Sequence, residues 1–121
     1  MCLALKGTLL YNKTMKQMTQ IKKGTLEYCV LAVIAGDERY GYEIVHILQK
    51  LGLATPEGTI YPLLARLQKE GMVRSRWIQS DQGNPRKYYS ITETGMSSLR
   101  EFKSNWLQFT TVVAKIIEEV H

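Results

Sequence analysis

Apolar side chains recur at helical spacing in four stretches of this chain and in strand-like runs in two more. From Gln20 to Ala35, Leu26, Cys29, Val30, Val33 and Ile34 share one face, while Tyr28, Leu31 and Ala32 fill much of the other. A helix apolar nearly all round is buried on two sides, and in so small a domain a second subunit is the readiest cover for the second. Gly36, Asp37 and Glu38 interrupt the run. Tyr40 to Leu51 predicts another helix, with Tyr40, Ile44, Ile47, Leu48 and Leu51 inward and Gly52 as its end. After a short connection, Gly52 to Thr55, a third helix reaches Met72 with Ile60, Leu63, Leu64 and Leu67 on its core stripe.

The boundaries of that third helix are written in its residues. Thr55 is placed to cap with its hydroxyl, Pro56 suits the first helical position, and Gly71 takes the left-handed conformation that stops the helix. Pro62 conflicts with this, because an interior proline loses a backbone bond and clashes with the preceding turn at about 3 kcal/mol. Either regular geometry begins only around Thr59 to Tyr61 or the start is distorted, and we expect the distorted start. Val73 to Gln79 then alternates Val73, Ser75 and Trp77 against Arg74, Arg76 and Ile78, and Arg86 to Ile91, with Tyr89 and Ile91 inward, is again rich in strand formers. Ser80 to Pro85, SDQGNP, is a turn between them. Thr92 is the cap of a last helix, Glu93 to Val120, whose apolar residues Leu99, Phe102, Trp106, Phe109, Val113, Ile116 and Val120 are separated by alternating threes and fours. That is the seam of a coiled coil and asks for a partner helix, although packing back on its own domain is the competing arrangement.

The expected fold is mainly α with a small β-hairpin: a winged helix-turn-helix with a C-terminal dimerisation helix. Residues 1–19 form an extension without sustained period, 20–91 the winged domain, and 92–121 the dimerisation helix. The third helix carries chemistry on its outer side, where Thr59, Tyr61, Pro62, Arg66 and Lys69 combine hydroxyls, a ring and cations able to reach phosphates and base edges. In the hairpin, Arg86 and Lys87 are placed to grip phosphates, unless they merely solubilise a strand edge. The Gly83–Asn84–Pro85 turn is small enough to enter a minor groove or lie along a phosphate strand. Gly41, between two tyrosines, permits close approach of helices.

Charge sharpens this picture only when it is located. The net charge of +5 on 121 residues is supplied by Lys6, Lys13, Lys16, Lys22 and Lys23, and the rest of the chain is neutral. A local excess lies between Gly71 and Ile91, where Arg74, Arg76, Arg86 and Lys87 face a single Asp81.

The segments LEYCVLAVIAGDERYGYEI (26–44), EGTIYPLLARLQKEGMV (57–73) and GNPRKYYSITETG (83–95), in this order, resemble the PadR family of bacterial winged helix-turn-helix transcriptional regulators. The likeness covers most of the chain from Ile21 onward, and the single C-terminal helix is similar to the family's small subgroup. It implies a repressor, commonly of its own gene, and flat aromatic compounds bound between paired tryptophans in some members.

The function expected is therefore sequence-specific DNA binding: a homodimer on double-stranded operator DNA, with Thr59, Tyr61, Pro62, Arg66, Asn84, Arg86 and Lys87 in contact. Leu99, Phe102, Trp106, Phe109, Val113, Ile116 and Val120 would form the dimer interface, and Trp106 with Phe102 would receive a small aromatic effector. The competing reading is a winged-helix protein-interaction module, which the neutral body of the chain keeps open. No nucleophile elbow, phosphate loop, paired carboxylates or metal-spaced cluster is present, so neither an enzyme nor a cofactor or metal is expected. Cys2 and Cys29 are read as free thiols and His46 as a structural histidine. With no apolar run long enough to span a bilayer and no leader-like start, the expected compartment is the cytoplasm, with no membrane partner.

Overall fold

The structure is a computed structural model, and it describes residues 17, 19–81 and 83–120. The extension 1–19 therefore falls almost wholly outside the described residues, with Cys2, Lys6, Lys13 and Lys16. The elements run α1 (Leu26–Ala35), β1 (Arg39–Tyr40), α2 (Gly41–Lys50), α3 (Glu57–Lys69), β2 (Val73–Ile78), β3 (Arg86–Ile91) and α4 (Glu93–Val120).

The helix expected from Gln20 is broken. Residues 19–22 are helical, but Gly24 stands at φ +80° and α1 starts afresh at Leu26. A left-handed residue cannot continue a right-handed helix, and the Thr25 hydroxyl holds the break from 3.0 Å of the Ile21 and Lys22 carbonyls. Beyond it Val30, Leu31 and Ile34 are enclosed with Ile44 and Leu48 of α2, Ile60, Leu64 and Leu67 of α3, Val73 and Tyr89, but Ala32 is exposed, so the burial expected on both sides of this helix is incomplete. Part of the cover for α1 comes from α4 of the same chain, where Tyr28 and Phe102 stack with centroids 4.0 Å apart.

The second helix is shorter than expected at both ends. Tyr40 belongs to β1, and its amide donates to the Glu43 carboxylate (3.2 Å), which fixes the start of α2. Leu51 continues the apolar stripe by count but lies at the C-cap, where the chain has already left the helix, and it is 78% exposed. Gly52 at φ +102° then reverses the chain, its amide bonded to the Gln49 carbonyl and that of Leu53 to the Leu48 carbonyl. The same closure ends α3 at Gly71, as expected, with Gly71 bonded to Gln68 and Met72 to Leu67.

At the start of α3 the capping expectation is corrected. Pro56 is itself the N-cap, with ψ 149°, so helical dihedrals begin only at Glu57. Thr55 then lies too far back to reach the first amides, and its buried hydroxyl donates to the Leu53 carbonyl (3.2 Å) in the inter-helix turn. The first turn is tightened, the Pro56 carbonyl accepting from both Thr59 (3.0 Å) and Ile60 (3.2 Å), and the helix passes through Pro62 without interruption. The carbonyl that Pro62 leaves without an amide belongs to Gly58, which is exposed and open to water.

The hairpin has one more strand beside it than expected, giving an antiparallel sheet in the order β1-β3-β2. Two residues are too few to display an alternation, so β1 left no sequence signature. Thr92 caps α4, accepting from the Gly95 amide (3.0 Å) while its hydroxyl donates to the Gly71 carbonyl (2.6 Å). Gly95 is buried there, and a Cβ on it would lie 2.1 Å from the Met72 carbonyl oxygen.

Gly95→Ala should accordingly lower stability. Helix propensity alone would favour the alanine by about 1 kcal/mol, but the clash is with backbone and costs about 1–3 kcal/mol or more. Urea unfolding measures the sign; a more stable variant would refute the close contact.

Candidate nucleic-acid interface

The predicted contact residues of α3 are divided over three directions. Around a helix of 3.6 residues per turn with Ile60, Leu64 and Leu67 inward, Gly58, Pro62, Ala65 and Lys69 point furthest from the core. Three of those four are small, so the outermost ridge is low and its backbone can come close to a ligand surface. Thr59 and Arg66 lie on the flank towards α1, beside an open groove of about 810 Å³ that Lys22, Lys23 and Thr55 also line. Arg66 is not loose there: it pairs with Glu70 on its own helix (2.9 Å) and with Glu27 of α1 (3.4 Å).

Tyr61 lies on the opposite flank, turned to α2 and the sheet. A Cβ at Gly41 would stand 2.3 Å from its ring, so glycine at 41 is what admits the tyrosine between the two helices. Tyr61 is 43% exposed, and burial of the rest, with Glu57 and Tyr40 nearby, pushes its hydroxyl above the ordinary phenol range. Tyr89, buried beneath, is raised by burial and by its proximity to Tyr61. Both rings remain neutral hydrogen-bond donors through the physiological range.

Strand alternation separates Arg86 from Lys87. The register pairs Val73 with Ile91, Ser75 with Tyr89 and Trp77 with Lys87, and these share the face that meets α3, where Ser75 and Gln68 are joined at 3.0 Å. Lys87 lies over the rings of Trp77 (5.9 Å) and Tyr89 (5.7 Å). On the reverse face are Arg74, Arg76, Tyr88 and Arg86, with Arg86 over the Tyr40 ring at 4.6 Å and Tyr40 tilted against Tyr88. There Arg76 makes two bonds to Glu38, one of them 3.0 Å, and those bonds hold the Glu38 carboxyl below its usual range. Asn84 is exposed in the turn, where Gly83 has φ +119°.

The expected seam of α4 is also divided. Leu99 packs on the domain's own core and Phe102 stacks on Tyr28. Trp106 stacks on Phe102 at 5.8 Å, and beyond it Phe109, Ile116 and Val120 are exposed and Val113 half-buried, together with exposed Leu107, Val112 and Ile117 off the seam. Phe102, Trp106 and Phe109 line an open groove of about 1030 Å³ against residues 23–25. Burial raises the Cys29 thiol, which is free, and His46 is exposed with its ring parallel to Tyr42. Among the described residues no His, Cys, Asp or Glu cluster is able to hold a metal, and no helix is long and apolar enough to cross a membrane.

Residues 30–101 match the transcriptional regulator PadR-like family. The chain belongs to the PadR-like family of transcriptional regulators. It is thus a member of a regulatory rather than an enzymatic family, with the family's winged helix-turn-helix fold. A PadR-like regulator of Bacillus cereus is 43% identical, the match covering 81% of this chain and 96% of that one with a TM-score of 0.74. A PadR-family regulator of Eggerthella lenta is 32% identical over 91% of this chain and 97% of its own, with a TM-score of 0.80. Bacillus subtilis PadR, solved in complex with operator DNA, is 25% identical over 64% of this chain and 46% of its own, with a TM-score of 0.61.

Two residues of this surface escaped the sequence reading. In that reading Trp77 has no role beyond its place in the strand alternation, but it is 66% exposed on the α3 side of the sheet. Glu27, the partner of Arg66, stands 39 residues away from it, and no local pattern announces such a pair. Because both side chains of the pair reach solvent, Glu27→Gln should cost no more than about 1 kcal/mol of stability. A loss of several kcal/mol in urea unfolding would mean that the pair fastens α3 to α1.

Proposed function

We propose that this PadR-like regulator is a homodimeric repressor that binds double-stranded operator DNA in the cytoplasm. In this reading residues 20–91 bind DNA and residues 92–121 join the subunits. The observation that carries it is the low outer ridge of α3, flanked by Thr59, Tyr61 and Arg66, with a hairpin bearing Lys87 on the same side. In this reading a ridge of that profile enters a major groove, and Lys87 from the α3 side of the hairpin, Arg86 from its reverse face and Asn84 from its turn would meet the neighbouring sugar–phosphate backbone. That the Bacillus subtilis relative was solved in complex with operator DNA supports DNA as the partner. Two-fold symmetry asks for a palindromic site.

Alanine variants at Arg86 and Lys87 should weaken binding to all duplexes and reduce the slope of log affinity against log salt by about 0.9 each. Thr59→Ala and Tyr61→Phe should change sequence preference instead. Glu27→Gln, by releasing Arg66 towards phosphate, should strengthen binding at low salt. Gel shifts against the DNA upstream of its own coding region and against random duplex measure all of these; wild-type affinity in every variant, or binding to protein but no duplex, would point to the protein-interaction module.

Dimerisation is supported by the apolar residues that α4 leaves exposed beyond Trp106, among them Phe109 at 63%. Phe109→Asp would strand a charge in that interface at about 3–5 kcal/mol, so dimer and operator affinity should fail together. Sedimentation at micromolar concentration tests this, and a monomeric wild type would remove the basis for a symmetric site.

The groove beside Phe102 and Trp106 favours a second element of the reading, a flat aromatic effector held between the subunits at the paired tryptophans. Such a ligand would weaken operator binding only by preferring one spacing of the two α3 helices. Titration of flat aromatic compounds against Trp77→Phe, in which Trp106 is the remaining tryptophan, should quench emission and release DNA; quenching that persists in Trp106→Ala would exclude this site.

A further inference from the structure

An indole left two-thirds exposed on a strand whose other same-face positions are used has to be explained. Val73 is buried in the core, Ser75 is bonded to Gln68, and Trp77, next along that face, lies exposed beneath the ammonium of its cross-strand neighbour Lys87. The position is specific. Face and register put Trp77 on the α3 side of the sheet, further out along the hairpin than the buried Val73–Ile91 end, where a duplex seated on the α3 ridge presents its flanking backbone.

We infer that Trp77 is a DNA-contact residue, packing its ring on the deoxyribose chain beside the phosphate held by Lys87. This rests on the DNA-binding reading above and deepens it. The pairing with Lys87 supports a backbone contact. The ammonium lies over both the Trp77 and Tyr89 rings, so a phosphate drawn to Lys87 arrives within reach of the indole, whose N–H is a donor only. The sugar supplies the apolar surface that the exposed ring lacks. Insertion between bases would require the ring to leave Lys87, and nothing on this face replaces that contact. Trp77 therefore adds affinity without sequence preference, and it carries no charge, so it adds nothing to the release of counterions.

Two measurements test this with the entire 121-residue chain. The chain has two tryptophans, so Trp106→Phe leaves Trp77 as the sole emitter, and a fluorescein-labelled duplex of random sequence reports binding independently through its anisotropy. Trp77 emission should change in parallel with anisotropy. In the otherwise native chain, Trp77→Ala should weaken binding to random and upstream duplexes alike by about tenfold, with an unaltered salt slope, whereas Lys87→Ala flattens that slope. Trp77→Phe should retain most of the affinity. Anisotropy that rises while Trp77 emission stays still would overturn the inference, as would Trp77→Ala binding like wild type. A loss confined to the upstream fragment would replace the backbone contact with base readout. If the folded wild type binds no duplex at low salt, the DNA-binding reading fails, and the role of Trp77 fails with it.

Discussion

A helix with almost no polar side has to be covered from several directions, and α1 imposes that constraint on the rest of this molecule. Val30, Leu31 and Ile34 are buried along one side of it, leaving Ala32 exposed on the other, and α2, α3 and the sheet assemble against that buried side. Tyr28 asks for a further layer, which Phe102 of α4 supplies by stacking. Helices α3 and α4 therefore both pack against one element. A continuous path of contacts follows: Trp106 on Phe102, Phe102 on Tyr28, and, one residue before Tyr28, Glu27 paired with Arg66 of α3. A rotation of α4 about its packed N-terminal part would act on α1 through the Phe102–Tyr28 stack.

The second constraint is the period of two in the hairpin. Adjacent residues of a strand point to opposite faces, so two neighbouring cations cannot serve one surface. Lys87 joins Trp77 and the α3 side, while Arg86 joins Tyr40, Tyr88 and Arg76 on the reverse. A basic dipeptide that looks like one phosphate grip in the linear sequence is thus two devices in the fold. On helix α3 the period of 3.6 acts likewise, setting Thr59 and Arg66 on one flank, Tyr61 on the other, and Pro62 with Lys69 on the crest.

What the sequence disclosed depended on whether the controlling interaction was local. The core stripe Ile60–Leu64–Leu67, the left-handed stops at Gly52 and Gly71, the turn before Arg86 and the Thr92 cap were all legible, because each is decided within a few residues. The break at Gly24 was missed because an apolar pattern outweighed a glycine whose handedness only the tertiary path fixes. Strand β1 was missed because its two residues pair with β3, about fifty positions away. Leu51 shows the converse: a correct helical count beyond the point where the helix has ended. Tyr61 was legible as special but not in its orientation, which is set by the space that Gly41 leaves open in another helix.

The charge of the interface follows the same division between local and distant partners. Arg66 is held by Glu27 and Glu70, Arg76 by Glu38, and Arg39 lies near Glu43, so several cations around α3 and the sheet already have a carboxylate. Among the described residues, no carboxylate pairs with Lys69, Arg74, Arg86 or Lys87. When a phosphate approaches a paired arginine, it exchanges one anion for another, and the net gain is small because both pairs are screened by water. When it approaches Lys87 or Lys69, the attraction is not offset in this way. Neutrality of the chain after Gly24 is therefore compatible with locally unpaired cations, since several of the carboxylates are attached to particular arginines. The consequence is that, among the described residues, cations without a carboxylate partner stand at the α3 crest and on both faces of the hairpin, Lys87 on the α3 side and Arg74 and Arg86 on the reverse.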